Sequence, residues 1–233
     1  MKRIAIFSVV FMAFWTISAT SGLAEEAKKP ESVEARTSYA LGLNIGRGFQ
    51  AQGIEVQSEL FLKGLNDGLS GAAPLLTDEE MRTAMETLRA ELEKKQRAKL
   101  DEIAQKNLQE SEQFFAANKK EKGVVTLPSG LQYKVEKEGT GKSPGKDDTV
   151  TVHYSGSLLN GQEFDSSVKR GQPATFKVGG VIPGWTEALQ LMKEGAKWRL
   201  FIPPGLAYGE QGRPPVIFPN SALIFDVELL KVN

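Results

Sequence analysis

One stretch of the chain leaves little choice of conformation. No Gly occurs between Ala72 and Lys122 and no Pro between Leu75 and Leu127, although the chain has 23 Gly and 11 Pro. These two residues are the ones a helix interior tolerates least, so the pattern predicts a single unbroken helix over residues 78–121. Thr77 with Glu80 makes a capping-box pair at its start, and Gly123 supplies a stop. Apolar residues recur at Met81, Met85, Leu88 and Leu92, then thin to Leu100, Ile103 and Leu108. Opposite charges at helical spacing (Asp78–Arg82, Glu91–Lys95, Glu93–Arg97, Glu102–Lys106) add small increments. At 1.5 Å per residue the helix is a rod of roughly 65 Å. Its apolar stripe fades among charges, which favours a mostly solvated spacer over a continuous two-stranded coiled coil.

Residues 32–71, before the rod, carry helical periodicity of another kind. Tyr39, Gly42, Ile45/Gly46 and Phe49 share one face, as do Phe61, Gly64/Leu65 and Gly68/Leu69, with Gly53 as the turn between. Glycine weakens a helix by about 1 kcal/mol, so its repeated use on an apolar face suggests that another backbone packs there. Two short helices cannot bury a convincing core alone. They fold back on the long helix, pair with a second chain, or form a loose appendage.

After Lys122 the sequence turns β-rich. Leu131–Glu136, Thr149–Ser155, Ala174–Val178, Ala196–Ile202 and Ala222–Val232 read as strands from their content and alternation. Val150, Val152 and Tyr154 fall on one face, as do Leu223, Phe225, Val227 and Leu229 in the last strand. Trp185–Met192, bounded by Gly184 and Gly195, is the plausible helix. The fold class is α+β: a curled antiparallel sheet of about five strands around a short helix, preceded by all-α structure.

Composition narrows the chemistry. The 29 Lys+Arg balance 29 Asp+Glu, which gives no basic field for nucleic acid. With no Cys and one His, disulfides, thiolate nucleophiles and multi-His metal sites are excluded within a single chain. His153 reads as a partly exposed sheet residue rather than the base of a triad. Asp147, Asp148, Asp165 and Asp226 lack paired or metal-like spacing, and Gly139–Gly141 is not a phosphate loop. At the N-terminus, Lys2 and Arg3 precede an apolar run from Ile4 to Ile17, then small residues ending at Ala24. This is the pattern of a cleavable export signal, too short for a bilayer span, and nothing later is long and apolar enough to re-enter a membrane. The reading implies a periplasmic protein, with outer-membrane association or surface exposure as alternatives.

Aromatic and branched residues cluster near the loops of the β-rich part. The strings Val152-His153-Tyr154-Ser155-Gly156, Glu163-Phe164-Asp165-Ser166-Ser167, Val181-Ile182-Pro183-Gly184-Trp185, Ala207-Tyr208-Gly209 and Leu223 to Leu229 occur in that order. Together they resemble the FKBP-type peptidyl-prolyl cis/trans isomerases over about 125–233. Upstream, Ser38-Tyr39-x-x-Gly42-x-x-x-Gly46-x-x-Phe49 and Phe61-x-x-Gly64-x-x-Asp67 are similar to the N-terminal domain of the Mip-like (macrophage infectivity potentiator) subgroup.

The resemblance implies a half-open sheet with a pocket against its helix. Its catalytic residues fall on Tyr154, Phe164, Asp165, Ile182, Trp185, Tyr208 and Phe225, and its substrate-binding residues on Arg170, Phe176, Val181 and Ile217. Trp185 would be the floor, and Ile182 would offer its backbone N–H. Asp165 could orient a substrate carbonyl or pair with Tyr154 or Arg170. The chain departs from the family's pattern at Ala174, at Arg213 where histidine is common, and at Pro214-Pro215. The organisation implied is a leader (1–24), a helical dimerisation domain (25–75), a connecting helix (76–122) and an isomerase domain (123–233). No metal or organic cofactor is implied. Implied partners are proline-containing unfolded polypeptides, rapamycin-type macrolides and a second copy of the chain. The rival reading is a non-enzymatic holdase or interaction module with a vestigial pocket.

Overall fold

The computed structural model describes residues 29–233; the expected leader, Lys2 to Ala24, lies outside the described residues. Helix α1 (Val33–Gln52) begins at Ser32, whose hydroxyl accepts the Ala35 N–H at 3.1 Å. It ends at Gly53, where φ is 65°, a left-handed value that glycine adopts without a Cβ penalty. Helix α2 spans Ser58–Ser70. Phe49 and Phe61 meet edge to face at 5.4 Å, yet neither helix has a buried residue. Tyr39, Leu41, Leu65 and Leu69 are exposed. A Cβ built on Gly42, Gly46, Gly64 or Gly68 would meet nothing within 4 Å among the described residues. The chain divides into two compact units after Leu65.

Helix α3 runs 41 residues, Asp78–Asn118, and opens with the expected capping box: the Thr77 N–H donates to Glu80 Oε2 at 2.8 Å and the Glu80 N–H to Thr77 Oγ1 at 3.3 Å. It stops three residues short of the expected end, because its last residues turn to the sheet. Asn118 Nδ2 donates to Gln132 Oε1 at 2.8 Å, and Gln132 Nε2 donates to the Phe115 carbonyl at 3.0 Å. The expected solvated spacer describes only the earlier turns. Near the end, Ser111 is buried and Phe114 packs on Phe201 at 5.7 Å.

The sheet has seven strands, not about five: β1 (Val124–Thr126), β2 (Gln132–Lys137), β3 (Thr149–Leu158), β4 (Glu163–Ser166), β5 (Ala174–Lys177), β6 (Lys197–Ile202) and β7 (Leu223–Val232). All pairs are antiparallel, in the order β1-β2-β6-β7-β3-β4, with β5 also on β3. The two additional strands, β1 and β4, are too short to show alternation, and β4 is mostly polar as well. β4 and β5 divide one edge of β3 between them, while β7 takes the other.

Helix α4 (Pro183–Leu191) lies against this sheet and buries Trp185, Ala188 and Leu189, with Met192 just beyond. Val150 and Val152 of β3, Leu200 and Ile202 of β6, and Val227 and Leu229 of β7 complete the core. Each fully buried side chain of this size contributes on the order of 1.5–3 kcal/mol. Gly184 sets the helix-to-sheet spacing, since a Cβ there would sit 2.6 Å from Ile202 Cγ2. Phe201 alternates to the opposite face from Leu200 and Ile202, and it is buried nonetheless, under Phe114 of α3.

Candidate active site

Pro183 occupies the first turn of α4, where its missing N–H costs nothing. That start aims Trp185 inward at the end of the core nearest the loops. Its ring meets Tyr154 at 5.3 Å, Phe225 at 5.2 Å and Phe176 at 5.8 Å, all edge to face, a favourable aromatic geometry. Phe164 meets Phe225 in the same way at 5.5 Å. Between these rings and the loops opens a cleft of about 770 Å³. Trp185 is its buried base, and the indole N–H has no acceptor among the described residues.

Every residue named from sequence borders this cleft except Arg170. Tyr154, Phe164, Asp165 and Phe176 come from β3, β4 and β5; Val181, Ile182 and Trp185 from the entry to α4; Tyr208 and Ile217 from the long loop before β7; Phe225 from β7 itself. Arg170 stands behind the wall and acts on two members of it. It forms an ion pair with Asp165 Oδ1 and donates from Nη2 to the Tyr154 hydroxyl at 2.9 Å. Tyr154 in turn donates to Asp165 Oδ2 at 2.5 Å. Of the three roles left open for Asp165, the geometry therefore brings both pairings together.

The electrostatics follow from these contacts. Burial alone would raise the Asp165 carboxyl, but the hydrogen bonds from Tyr154 and Arg170 outweigh it and hold the group below the ordinary carboxylate range. Burial first, and then the bond to Asp165, raises the Tyr154 hydroxyl above its usual value. Asp165 is thus an anion matched by Arg170, and Tyr154 stays protonated.

Besides the indole N–H of Trp185, two donors from the cleft lining are uncommitted among the described residues. The Ile182 N–H makes no hydrogen bond among the described residues, and neither does the Tyr208 hydroxyl. Arg213 lies with its guanidinium 6.0 Å from the Tyr208 ring centre, so the rim carries a positive charge. Pro214, Pro215 and Val216 line the same rim.

Sequence reasoning passed over two supports. Gly156 on β3 is required by its neighbours: a Cβ would fall 2.5 Å from Phe225 Cε1 and 2.8 Å from Phe164 Cζ. Ser167 is fully buried, and its hydroxyl accepts the Tyr154 N–H at 2.8 Å, donates to the Tyr154 carbonyl at 3.2 Å and meets His153 Nδ1 at 3.1 Å. Only the Ser166-Ser167 string after Asp165 signalled it. The hydroxyl is thus committed to holding the Tyr154 backbone beside His153. Among the described residues no three His, Asp or Glu side chains gather to hold a metal ion.

A family model described as "FKBP-type peptidyl-prolyl cis-trans isomerase" matches residues 140–230, and one described as "Domain amino terminal to FKBP-type peptidyl-prolyl isomerase" matches 34–135. The peptidyl-prolyl cis-trans isomerase Mip of Coxiella burnetii is 44% identical over 225 residues, covering 96% of this chain and 98% of that protein. This chain belongs to the FKBP-type peptidyl-prolyl cis-trans isomerases. The outer membrane protein MIP of Legionella longbeachae is 44% identical over 92% of both chains. Among solved structures, FkpA from Escherichia coli superposes with a TM-score of 0.73 at 38% identity, covering 88% of this chain and 99% of that one. The family assignment carries the activity: the chain is a peptidyl-prolyl isomerase.

Proposed function

We propose that this isomerase works on Xaa-Pro segments of exported, unfolded polypeptides, and that its cleft stabilises the twisted amide. The Xaa–Pro bond rotates over a barrier of about 18–20 kcal/mol because resonance gives C–N double-bond character. Twisting removes that resonance and reduces the amide dipole. Water solvates the planar form better and so maintains the barrier. A wall of Phe164, Val181, Ile182, Trp185 and Phe225 withdraws that solvation and favours the twisted state. The Ile182 N–H and the Tyr208 hydroxyl would hold the carbonyls flanking the proline. The Tyr154–Asp165–Arg170 network would keep that wall rigid, with Phe176 and Ile217 closing the sides. A barrier lowered by about 4–7 kcal/mol gives roughly 10³- to 10⁵-fold acceleration.

The observation carrying this reading is an aromatic cleft whose lining includes the uncommitted Ile182 N–H and Tyr208 hydroxyl. A proline-limited refolding assay tests it. Asp165→Ala and Tyr208→Phe should each lose roughly tenfold to a hundredfold in rate, and a rapamycin-type macrolide should compete for the cleft. Equal acceleration by wild type and both variants would remove the proposed roles.

The partition into helical domain (25–75), connecting helix (76–122) and catalytic domain (123–233) belongs to the same reading, as does a homodimer formed through 25–75. Uncovered apolar faces on α1 and α2, with open space at Gly42 and Gly46, support a second copy as the cover. Two clefts on one dimer would gain from effective concentration on a shared client. Deleting 25–75 should leave a particle with the mass of one shortened chain rather than two. A chaperone role rests on the same faces, and aggregation suppression that survives Asp165→Ala and Tyr208→Phe would support it. The expected leader at 1–24 and a relative named as an outer membrane protein support a location in the cell envelope. No helix among the described residues is long and apolar enough to cross a membrane.

A further inference from the structure

The loop from Tyr208 to Ser221 carries Tyr208, Arg213 and Ile217 to the cleft, so its placement fixes one wall. Within itself it is a narrow turn. The Arg213 N–H donates to the Ile217 carbonyl at 2.6 Å and the Ile217 N–H to the Arg213 carbonyl at 3.1 Å. The Asn220 N–H closes the base on the Gly209 carbonyl at 2.8 Å. The base is held from outside the sheet. Asn107, half-buried on α3, donates through Nδ2 to the Pro219 carbonyl at 2.8 Å and approaches Ser221 Oγ at 3.3 Å. One turn earlier on α3, the Ala104 carbonyl accepts from Asn220 Nδ2 at 3.4 Å. Asn220 adopts φ 57°, a left-handed conformation that Asn tolerates better than most side chains.

We propose that Asn107 is a positioning residue for the isomerase: from α3 it holds the base of the loop and, through it, the placement of Tyr208 and Ile217 over the substrate. This rests on the cleft being the site of proline binding. Pro219 is two residues from Ile217, so freedom at its carbonyl passes to the wall with little chain to absorb it. Proline has no N–H of its own to anchor this segment, and the carbonyl bond from Asn107 takes that place.

The test uses the full-length chain with Asn107→Ala, Asn107→Asp, and Gln105→Ala as an exposed neighbour. Asn107→Asp keeps the shape but turns the donor into an acceptor facing the Pro219 carbonyl. Both Asn107 variants should speed amide exchange at Arg213 and Ile217 about three- to tenfold while β3 and β7 exchange as before. KM for a proline tetrapeptide should rise by a similar factor with kcat changed less than about twofold, and macrolide affinity should fall in parallel. Gln105→Ala should behave as wild type. Unchanged loop exchange in both variants overturns the proposal, as does a wild-type response to Asn107→Asp. So does a loss spread evenly over the sheet. Should the wild type fail to isomerise the peptide, the proposed function falls, while exchange and macrolide binding still decide the role of Asn107.

Discussion

Glycines in the two helical hairpin segments and glycines in the catalytic sheet face opposite surroundings. At Gly156 and Gly184 the place of a Cβ is already taken, by Phe225 and Phe164 in one case and by Ile202 in the other. At Gly42, Gly46, Gly64 and Gly68 it is open. The same residue type thus records a finished contact in β3 and α4 and an available one in α1 and α2. Burial repeats the contrast: α4 buries four of its nine residues, whereas α1 buries none of its 20. The sheet is covered from within by α4 and from outside by the end of α3, whereas the apolar faces of α1 and α2 lie open among the described residues.

The comparison breaks most sharply if those open faces are filled in. Gly42→Leu with Gly46→Leu should abolish self-association, seen as a halved particle mass by light scattering, while tetrapeptide turnover stays at its wild-type value. An unchanged mass would mean that the open glycines are not a docking face. The next effect belongs to the filled positions. Gly156→Ala forces the Phe164–Phe225 contact apart, at a cost of about 1–3 kcal/mol in folding stability, measurable by urea denaturation, and should depress turnover as well. By contrast Gly48→Ala, another position open in the structure, should stabilise α1 by up to about 1 kcal/mol.

A smaller effect lies in the Asp165 network. Its carboxyl is held below the ordinary range, so the stabilisation is present above the unfolded Asp value of about 3.9 and is lost as pH falls through the lower folded value. As far as this group is concerned, kcat/KM should be flat from about pH 5 to 8 and fall only in stronger acid. An inflection near neutrality that disappears in Asp165→Asn would refute the assignment. The smallest effect concerns the rim: Arg213→Glu should shift the preference between acidic and basic residues beside the proline by about two- to fivefold, less in high salt.

Much of this architecture was legible because strong local rules wrote it. The gap in Gly and Pro marked α3, Thr77 and Glu80 marked its cap, and alternation at Val150–Tyr154 and Leu223–Leu229 marked the two central strands. β1 and β4 escaped because three or four residues cannot display a period, and β4 carries Glu163 and Asp165. The candidate site residues were legible as strings, and the pairing of Asp165 with Tyr154 or Arg170 only as options left open beside a carbonyl-orienting role. Tyr154 and Asp165 meet only because β3 and β4 pair with Gly156 opposite Asp165, a register no local signal specifies. The docking of α3 was hidden for another reason. Its apolar stripe does fade, and the contacts that replace it come from Asn107, Asn118 and Phe114, two of them polar and so indistinguishable in sequence from a solvated face.

That docking bears on how the protein can be trimmed. A minimal catalyst begun at Gly123 would strip the cover from Phe201 and Gln132 and leave Pro219 without its tether. One begun a few turns upstream of Ala104 would carry its own brace, and comparing the two shortened enzymes would reveal how much of the stalk is really part of the catalyst.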